Sequence, residues 1–200
     1  MILNLIPYWN RGCKYLLKKD PIFKEYYNPN HYLKLNKNKF DVLFKSICSQ
    51  QISIGAAMSI YKKTKLIMGN INYKNFKENK DKIANLPITM NKKKCIYSLI
   101  ENYDLVKNIK NDNNFLRLPP FELTKIFGIG PWTVEMFSIF YLGLSNIAPK
   151  GDLGFINAYK KNYFDDNLLY FDSHSKIWGD YSTIVTWYLW STYDDQPLYL

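Results

Sequence analysis

Cysteine is scarce in this 200-residue chain: Cys13, Cys48 and Cys95 are far apart and odd in number. They cannot form a disulfide framework, a zinc site or a four-cysteine iron–sulfur motif within one chain. Histidine is scarcer still, with His31 and His174 at no ligand-like spacing. No structural metal is expected, and an intracellular compartment is. Long apolar runs are also missing. The longest nearly apolar stretch, Met136 to Leu144, is too short to span a bilayer. Pro7, Asn10, Arg11 and Lys14 interrupt the start of the chain where a signal peptide would need an apolar core. No membrane association is expected. Acidic residues are outnumbered, 17 against 27 Lys plus Arg, for a formal net charge of +10. That excess suits a polyanion, nucleic acid first. Lys, Asn, Ile and Tyr are all abundant, however, so a base-composition bias explains the charge equally well. Charge alone does not identify the function.

Apolar residues make up 47% and charged residues 22%, a globular balance rather than a disordered one. The length suits one core, or two small lobes within a single domain over residues 1–200. No solenoid repeat and no Pro/Gly/Ser linker divides it. The central lobe is expected over about 40–145, with N- and C-terminal helices forming the second. Phe40, Leu43, Phe44, Ile47 and Gln51 step by threes and fours, which predicts a helix from Phe40 to Ser49. Ser53 is placed to cap a second helix ending at Gly69, so Gln50 and Gln51 fall at the junction. Further helices are expected near Phe76 to Leu86, from Met90 to Tyr103, from the Pro119-Pro120 pair through Ile126, and from Trp132 to about Leu142. Others run from Asp152 to near Tyr163 and through the aromatic tail, Ser175 to Trp190. Sustained alternation is absent, so the fold class is all-α.

Gly128-Ile129-Gly130 lies between two of these helical patterns. Glycines one residue apart permit positive φ and close approach of a foreign backbone. Pro131 suits a first helical turn. Amides in such a turn, with the helix N-terminus behind them, make a ready anion site, and Lys125 can add a charge. A tight helix–turn–helix with no ligand is the alternative reading.

The string Leu123 to Phe137, LTKIFGIGPWTVEMF, resembles the hairpin of the helix-hairpin-helix DNA glycosylase superfamily, in its 3-methyladenine DNA glycosylase II branch. Gly151-Asp152-Leu153-Gly154 resembles that branch's segment bearing the catalytic aspartate. Ser49-Gln50-Gln51-Ile52-Ser53 resembles its Gly-Gln-Gln-Leu-Ser helix junction, and Trp187-Tyr188-Leu189-Trp190 its aromatic final helix. The resemblance spans roughly residues 20–190, in order. Two departures stand out: Ser49 replaces a frequent Gly, and Trp178-Gly179-Asp180-Tyr181-Ser182-Thr183 lacks the family's Pro and Arg, at Asp180 and Ser182. The resemblance implies a two-lobed helical fold and a DNA glycosylase of base excision repair. By implication Asp152 is catalytic. Gln50, Gln51, Ser53, Lys125, Gly128, Ile129, Gly130 and Thr133 contact DNA, with Gln51 filling the gap left by an extruded base.

Breaking a base–deoxyribose bond builds positive charge on the sugar, which a nearby carboxylate stabilises. Asp152 is also expected to cap the helix after it. The lyase branch carries a lysine nucleophile after the hairpin. Here that position is Trp132, which has no amine, and the aspartate lies 152 − 132 = 20 positions on. Simple hydrolysis follows, leaving an abasic site. Trp132, Phe137 and Trp178 are candidates to line a base pocket, where a cationic alkylated purine would gain about 0.5 to 2 kcal/mol over a π-face. Trp132 suits a core equally well, and Phe137 and Trp178 suit one better. Glu135 reads as an acid within an apolar helix, open to pairing with a lysine, and Asp165, Asp166, Asp194 and Asp195 as solvated acids. The Lys92 to Lys94 run reads as a solvated helix start. No cofactor or catalytic metal is implied; a monovalent cation on hairpin carbonyls around 126–129 is left open. The expected partner is duplex DNA containing damaged bases, met by a monomer in a bacterial nucleoid or a eukaryotic nucleus. A non-catalytic lesion-binding module and a glycosylase for deaminated or oxidised bases are the rival readings.

Overall fold

The computed structural model describes residues 6–112 and 114–193. Asp194 and Asp195 lie outside the described residues. Among those described, the regular structure is all helical: α1 (Trp9–Lys19), α2 (Phe23–Tyr26), α3 (Lys39–Ser49), α4 (Ile54–Met68), α5 (Tyr73–Glu78), α6 (Met90–Glu101), α7 (Asp104–Lys107), α8 (Pro131–Phe137), α9 (Leu153–Tyr163), α10 (Phe171–Trp178) and α11 (Ser182–Tyr193). None of these helices is long and apolar enough to cross a membrane. The chain divides into two compact units, one of residues 36–112 and 119–142, the other of 6–35, 114–118 and 143–193.

The first unit is built around α3, which is buried on almost every side and packs against α4, α6 and α8. Its sequence permits this because the polar positions are internally satisfied. Ser46 Oγ donates to the Val42 carbonyl at 2.9 Å. The buried Asp41 carboxylate accepts from Tyr61 Oη and Asn36 Nδ2, each at 2.6 Å, and pairs with Lys45 at 3.3 Å. A charge taken out of water needs such partners. Asn38 caps α3 by accepting from the Asp41 amide, and Ser53 caps α4 from the Ala56 amide. Gly69 ends α4 at φ 76°, as its sequence predicts.

Four expected helices are modified, the Ser175 to Trp190 tail among them, which Gly179 at φ 51° divides between α10 and α11. The segment near Phe76 to Leu86 splits into α5 and a 3₁₀ turn, Lys80–Asn85, because Asn79 Nδ2 turns back onto the Asn75 carbonyl. The segment opened by Pro119 and Pro120 is only a 3₁₀ turn, Phe121–Lys125, since Ile126 must become extended to enter the hairpin. The helix after Pro131 continues into a π turn, Ser138–Leu142, beginning where Ser138 Oγ bonds the Val134 carbonyl.

The second unit packs α11 against α9 around an aromatic core. Within it, Asp20 is 3% exposed. Its Oδ1 accepts from the Ile22 and Phe23 amides at 3.0 and 3.2 Å, and its Oδ2 from Trp178 Nε1 at 2.9 Å and from the Tyr163 hydroxyl. Burial, then the neighbouring Tyr26 and Asp20, raise the Tyr163 pKa, so the hydroxyl stays a donor. Asp165 is likewise not solvated: it is buried and accepts from the Leu169 and Tyr170 amides and the Tyr159 hydroxyl.

Candidate active site and nucleic-acid interface

In the first unit the chain reverses through Phe127 and Gly128, with the Ile129 amide donating to the Ile126 carbonyl at 3.1 Å. Gly128 has φ 81°, and a Cβ there would sit 2.8 Å from both Cβ and Sγ of Cys95. This glycine is required by the fold. Gly130 is different. Its φ is −97°, open to any L-residue, and a Cβ would meet nothing within 4 Å. Nothing inside the unit demands glycine there, whereas a ligand backbone approaching from solvent would. Pro131 opens α8 at its first position, as expected. Lys125 is exposed beside the turn, and the Ile129 side chain is buried.

The α3–α4 junction is braced against this hairpin. Gln50 Nε2 donates to the Gly128 carbonyl at 2.9 Å and to Thr133 Oγ1 at 3.1 Å. Thr133 is 1% exposed. Gln50 and Thr133, expected on the DNA surface, are therefore struts that fix the hairpin to the junction. Ser53 is exposed, and its hydroxyl is committed to the α4 cap. Lys92 is not a solvated lysine: its ammonium donates to the Cys48 carbonyl at 2.8 Å and closes the end of α3. Burial lowers its pKa, and the neighbouring Cys48 opposes that shift. Lys93 similarly reaches the Ala84 carbonyl.

Out of this braced junction stands Gln51, exposed and at φ 58°. A non-glycine residue in the left-handed region costs about 1 kcal/mol or more and persists where its surroundings over-determine it. Ile52 beside it is 38% exposed and Phe127, at the hairpin tip, 55% exposed. Sequence reading passed over Phe127; its signal is an aromatic immediately before a turn glycine. Trp132 is half-buried in the first turn of α8, and Glu135 is half-buried further along it. Phe137 and Trp178 are fully buried, Trp178 with its indole nitrogen committed to Asp20. Neither presents a π-face, so both belong to the core and not to a base pocket. Around 126–129 the Ile126 carbonyl accepts from the Ile129 amide and the Gly128 carbonyl from Gln50 Nε2.

In the second unit, Asp152 caps α9. Its Oδ1 accepts from the Phe155 amide at 2.6 Å and from Trp190 Nε1 on α11 at 2.9 Å. Its own amide donates to the Pro149 carbonyl at 2.9 Å, and its carbonyl receives the Ile156 amide. Backbone and side chain are thus both fixed, and the group is half-buried rather than sealed. Leu153 next to it is 78% exposed. At the departures from the family pattern, Asp180 is exposed and the Ser182 hydroxyl bonds back to the Gly179 carbonyl. Among the described residues no cluster of three or more His, Cys, Asp or Glu could hold a metal ion.

An all-helical chain with a braced glycine hairpin and a helix-capping aspartate has the features that the resemblance to helix-hairpin-helix DNA glycosylases implies. No family model matches the chain. Individual proteins do. DNA-3-methyladenine glycosylase 1 of Schizosaccharomyces pombe is 29% identical over 183 residues, covering 83% of this chain and 77% of that protein. The solved structure of the S. pombe 3-methyladenine DNA glycosylase Mag1 in complex with abasic DNA superposes with a TM-score of 0.72. It is 25% identical and covers 95% of this chain and 99% of that one. A DNA-3-methyladenine glycosidase from Bacillus halodurans shares the fold, with a TM-score of 0.64 at 24% identity, over 90% of this chain and 88% of that one. Along most of its length the chain is similar to 3-methyladenine DNA glycosylases.

Proposed function

We propose that this protein is a monofunctional DNA glycosylase that hydrolyses the N-glycosidic bond of alkylated purines, of the 3-methyladenine type, in duplex DNA. One observation carries this reading: Asp152 is a carboxylate immobilised by two N–H donors on one oxygen, on a fold shared with a relative solved with abasic DNA. A fixed anion costs no reorganisation when the sugar becomes cationic. The C1′–N bond breaks with its electron pair leaving on the base, which neutralises the charge that alkylation placed there. Water adds to C1′ on the face of the carboxylate and loses a proton, giving the abasic site. Because the leaving group is already activated, no strong general acid is needed.

The hairpin supplies the grip. Gly130 offers open space for a phosphate, Lys125 a cation, and Gln51 a polar amide to enter the duplex where the base has left. Trp132 brings a π-face in place of the lysine that a lyase would use. One chain carries both hairpin and aspartate, so a monomer suffices. Its place is with chromosomal DNA, in a nucleoid or a nucleus.

The test is incubation with methylated duplex DNA and chromatography of the freed bases. Recovery of 3-methyladenine, with strands intact until alkali is added, is the expected result. Asp152→Asn should cut release to a small residual rate while DNA binding survives. Strand cleavage without alkali or amine would refute the monofunctional reading, and full activity of Asp152→Asn would refute the catalytic one.

A further inference from the structure

We infer that Trp190 is a positioning residue for the base-release step, acting through Asp152 and not by contact with the base; this rests on the catalytic reading of Asp152. Two donors converge on Asp152 Oδ1. One is the Phe155 amide, which any helix N-cap would engage. The other, Trp190 Nε1 at 2.9 Å, comes from α11, 38 residues away in sequence, and capping does not require it. The amide holds Oδ1 at one point, about which the Cα–Cβ and Cβ–Cγ bonds can turn. The indole adds a second point from another helix and removes that freedom.

The residue two positions on is shaped to the same contact. A Cβ on Gly154 would lie 3.3 Å from Asp152 Oδ1, 3.7 Å from Trp190 Cδ1 and 3.8 Å from Trp190 Nε1. Gly154 is the second residue of α9, in its first turn, where alanine is also the better helix former. Its φ is not in the left-handed region, so backbone conformation does not call for glycine. What glycine provides here is room for the indole edge and the carboxylate to meet. Asp152, Gly154 and Trp190 are one device: anion, clearance and second tether.

A second charge-assisted tether implies a sizeable share of the rate, because such hydrogen bonds are among the stronger ones. Trp190→Phe keeps the aromatic bulk and removes only the N–H. It should lower the single-turnover rate of 3-methyladenine release at least about tenfold. The Kd for duplex DNA bearing an abasic site should stay within about twofold. Gly154→Ala is the second variant. It should leave thermal stability equal or higher, yet lower the same rate by crowding Oδ1. In an Asp152→Asn background, Trp190→Phe should cause no further loss of the residual rate. Continued loss in that background would mean that the indole acts directly on the base, and would overturn the proposal. So would a wild-type rate in folded Trp190→Phe, or an unaltered rate in Gly154→Ala should the tryptophan variant not fold. A fully active Asp152→Asn would instead remove the catalytic reading beneath it, so the two failures are distinct.

Discussion

Gly128 lies against Cys95 so closely that a single added methyl would sit 2.8 Å from the Cys95 sulfur, whereas two residues on, at Gly130, the same methyl would meet nothing. The two hairpin glycines therefore answer to different demands, and alanine separates them. Gly128→Ala forces both a strained φ and an overpacked contact, and should cost at least about 2 kcal/mol. Gly130→Ala should leave the unfolding midpoint unchanged while weakening affinity for duplex DNA several-fold. Urea unfolding and fluorescence anisotropy on the two variants decide this. Equal DNA binding by Gly130→Ala would mean that no backbone approaches there.

Acid sensitivity is expected from Asp165. Burial alone would raise its pKa, but the Tyr170 amide, the Tyr159 hydroxyl, the Leu169 amide and the nearby His174 together hold it below the ordinary 3.8. A carboxylate whose folded pKa is depressed adds stability that is fully present above its unfolded pKa and is lost as pH falls through the folded value. The wild-type urea midpoint should therefore fall steeply below about pH 4. Asp165→Asn should be less stable at pH 6 and should show a shallower slope below pH 4. Parallel slopes for the two proteins would disprove the assignment.

The helices and the capping aspartate were legible because they depend on local pattern. Ser53, Gly69, Pro131 and Asp152 announce helix ends by residue type alone, and each stands where its type predicts. What could not be read are the contacts that join distant segments. Gln50 and Thr133 lie 83 residues apart, and only the fold shows that they bond each other rather than a ligand. Lys92 looks like any surface lysine until the carbonyl of Cys48 is placed at its tip. Asp165, in a polar run, gives no sign of the three donors that bury it. The Trp190 tether has a faint trace, the glycine at 154 inside a helix, but a glycine does not name its neighbour.

The three cysteines should be unreactive in the folded protein. All are buried, and burial raises the Cys13 pKa to about 11 and those of Cys48 and Cys95 to about 12. At pH 8 each is a neutral thiol, and only the thiolate attacks a disulfide reagent. Titration with an aromatic disulfide should show release far slower than for a free thiol. Addition of denaturant should then release three equivalents. A fast equivalent in the native protein would show that one of these sites opens without global unfolding.

Thr64 offers a route to a more stable protein. It is fully buried on α4, and its hydroxyl has no hydrogen-bond partner among the described residues. A buried hydroxyl without a partner pays for desolvation and receives nothing in return. Valine has nearly the same shape and a similar helix propensity, and it carries a methyl in place of the oxygen. Thr64→Val should raise the unfolding free energy by about 1 kcal/mol. Thr64→Ser keeps the oxygen and deletes the methyl, so it should lower stability. Activity should follow neither change, because α4 meets the candidate interface only at its capped first turn. If valine destabilises while serine does not, the hydroxyl is bonded after all, to a buried water that the polar oxygen alone could hold.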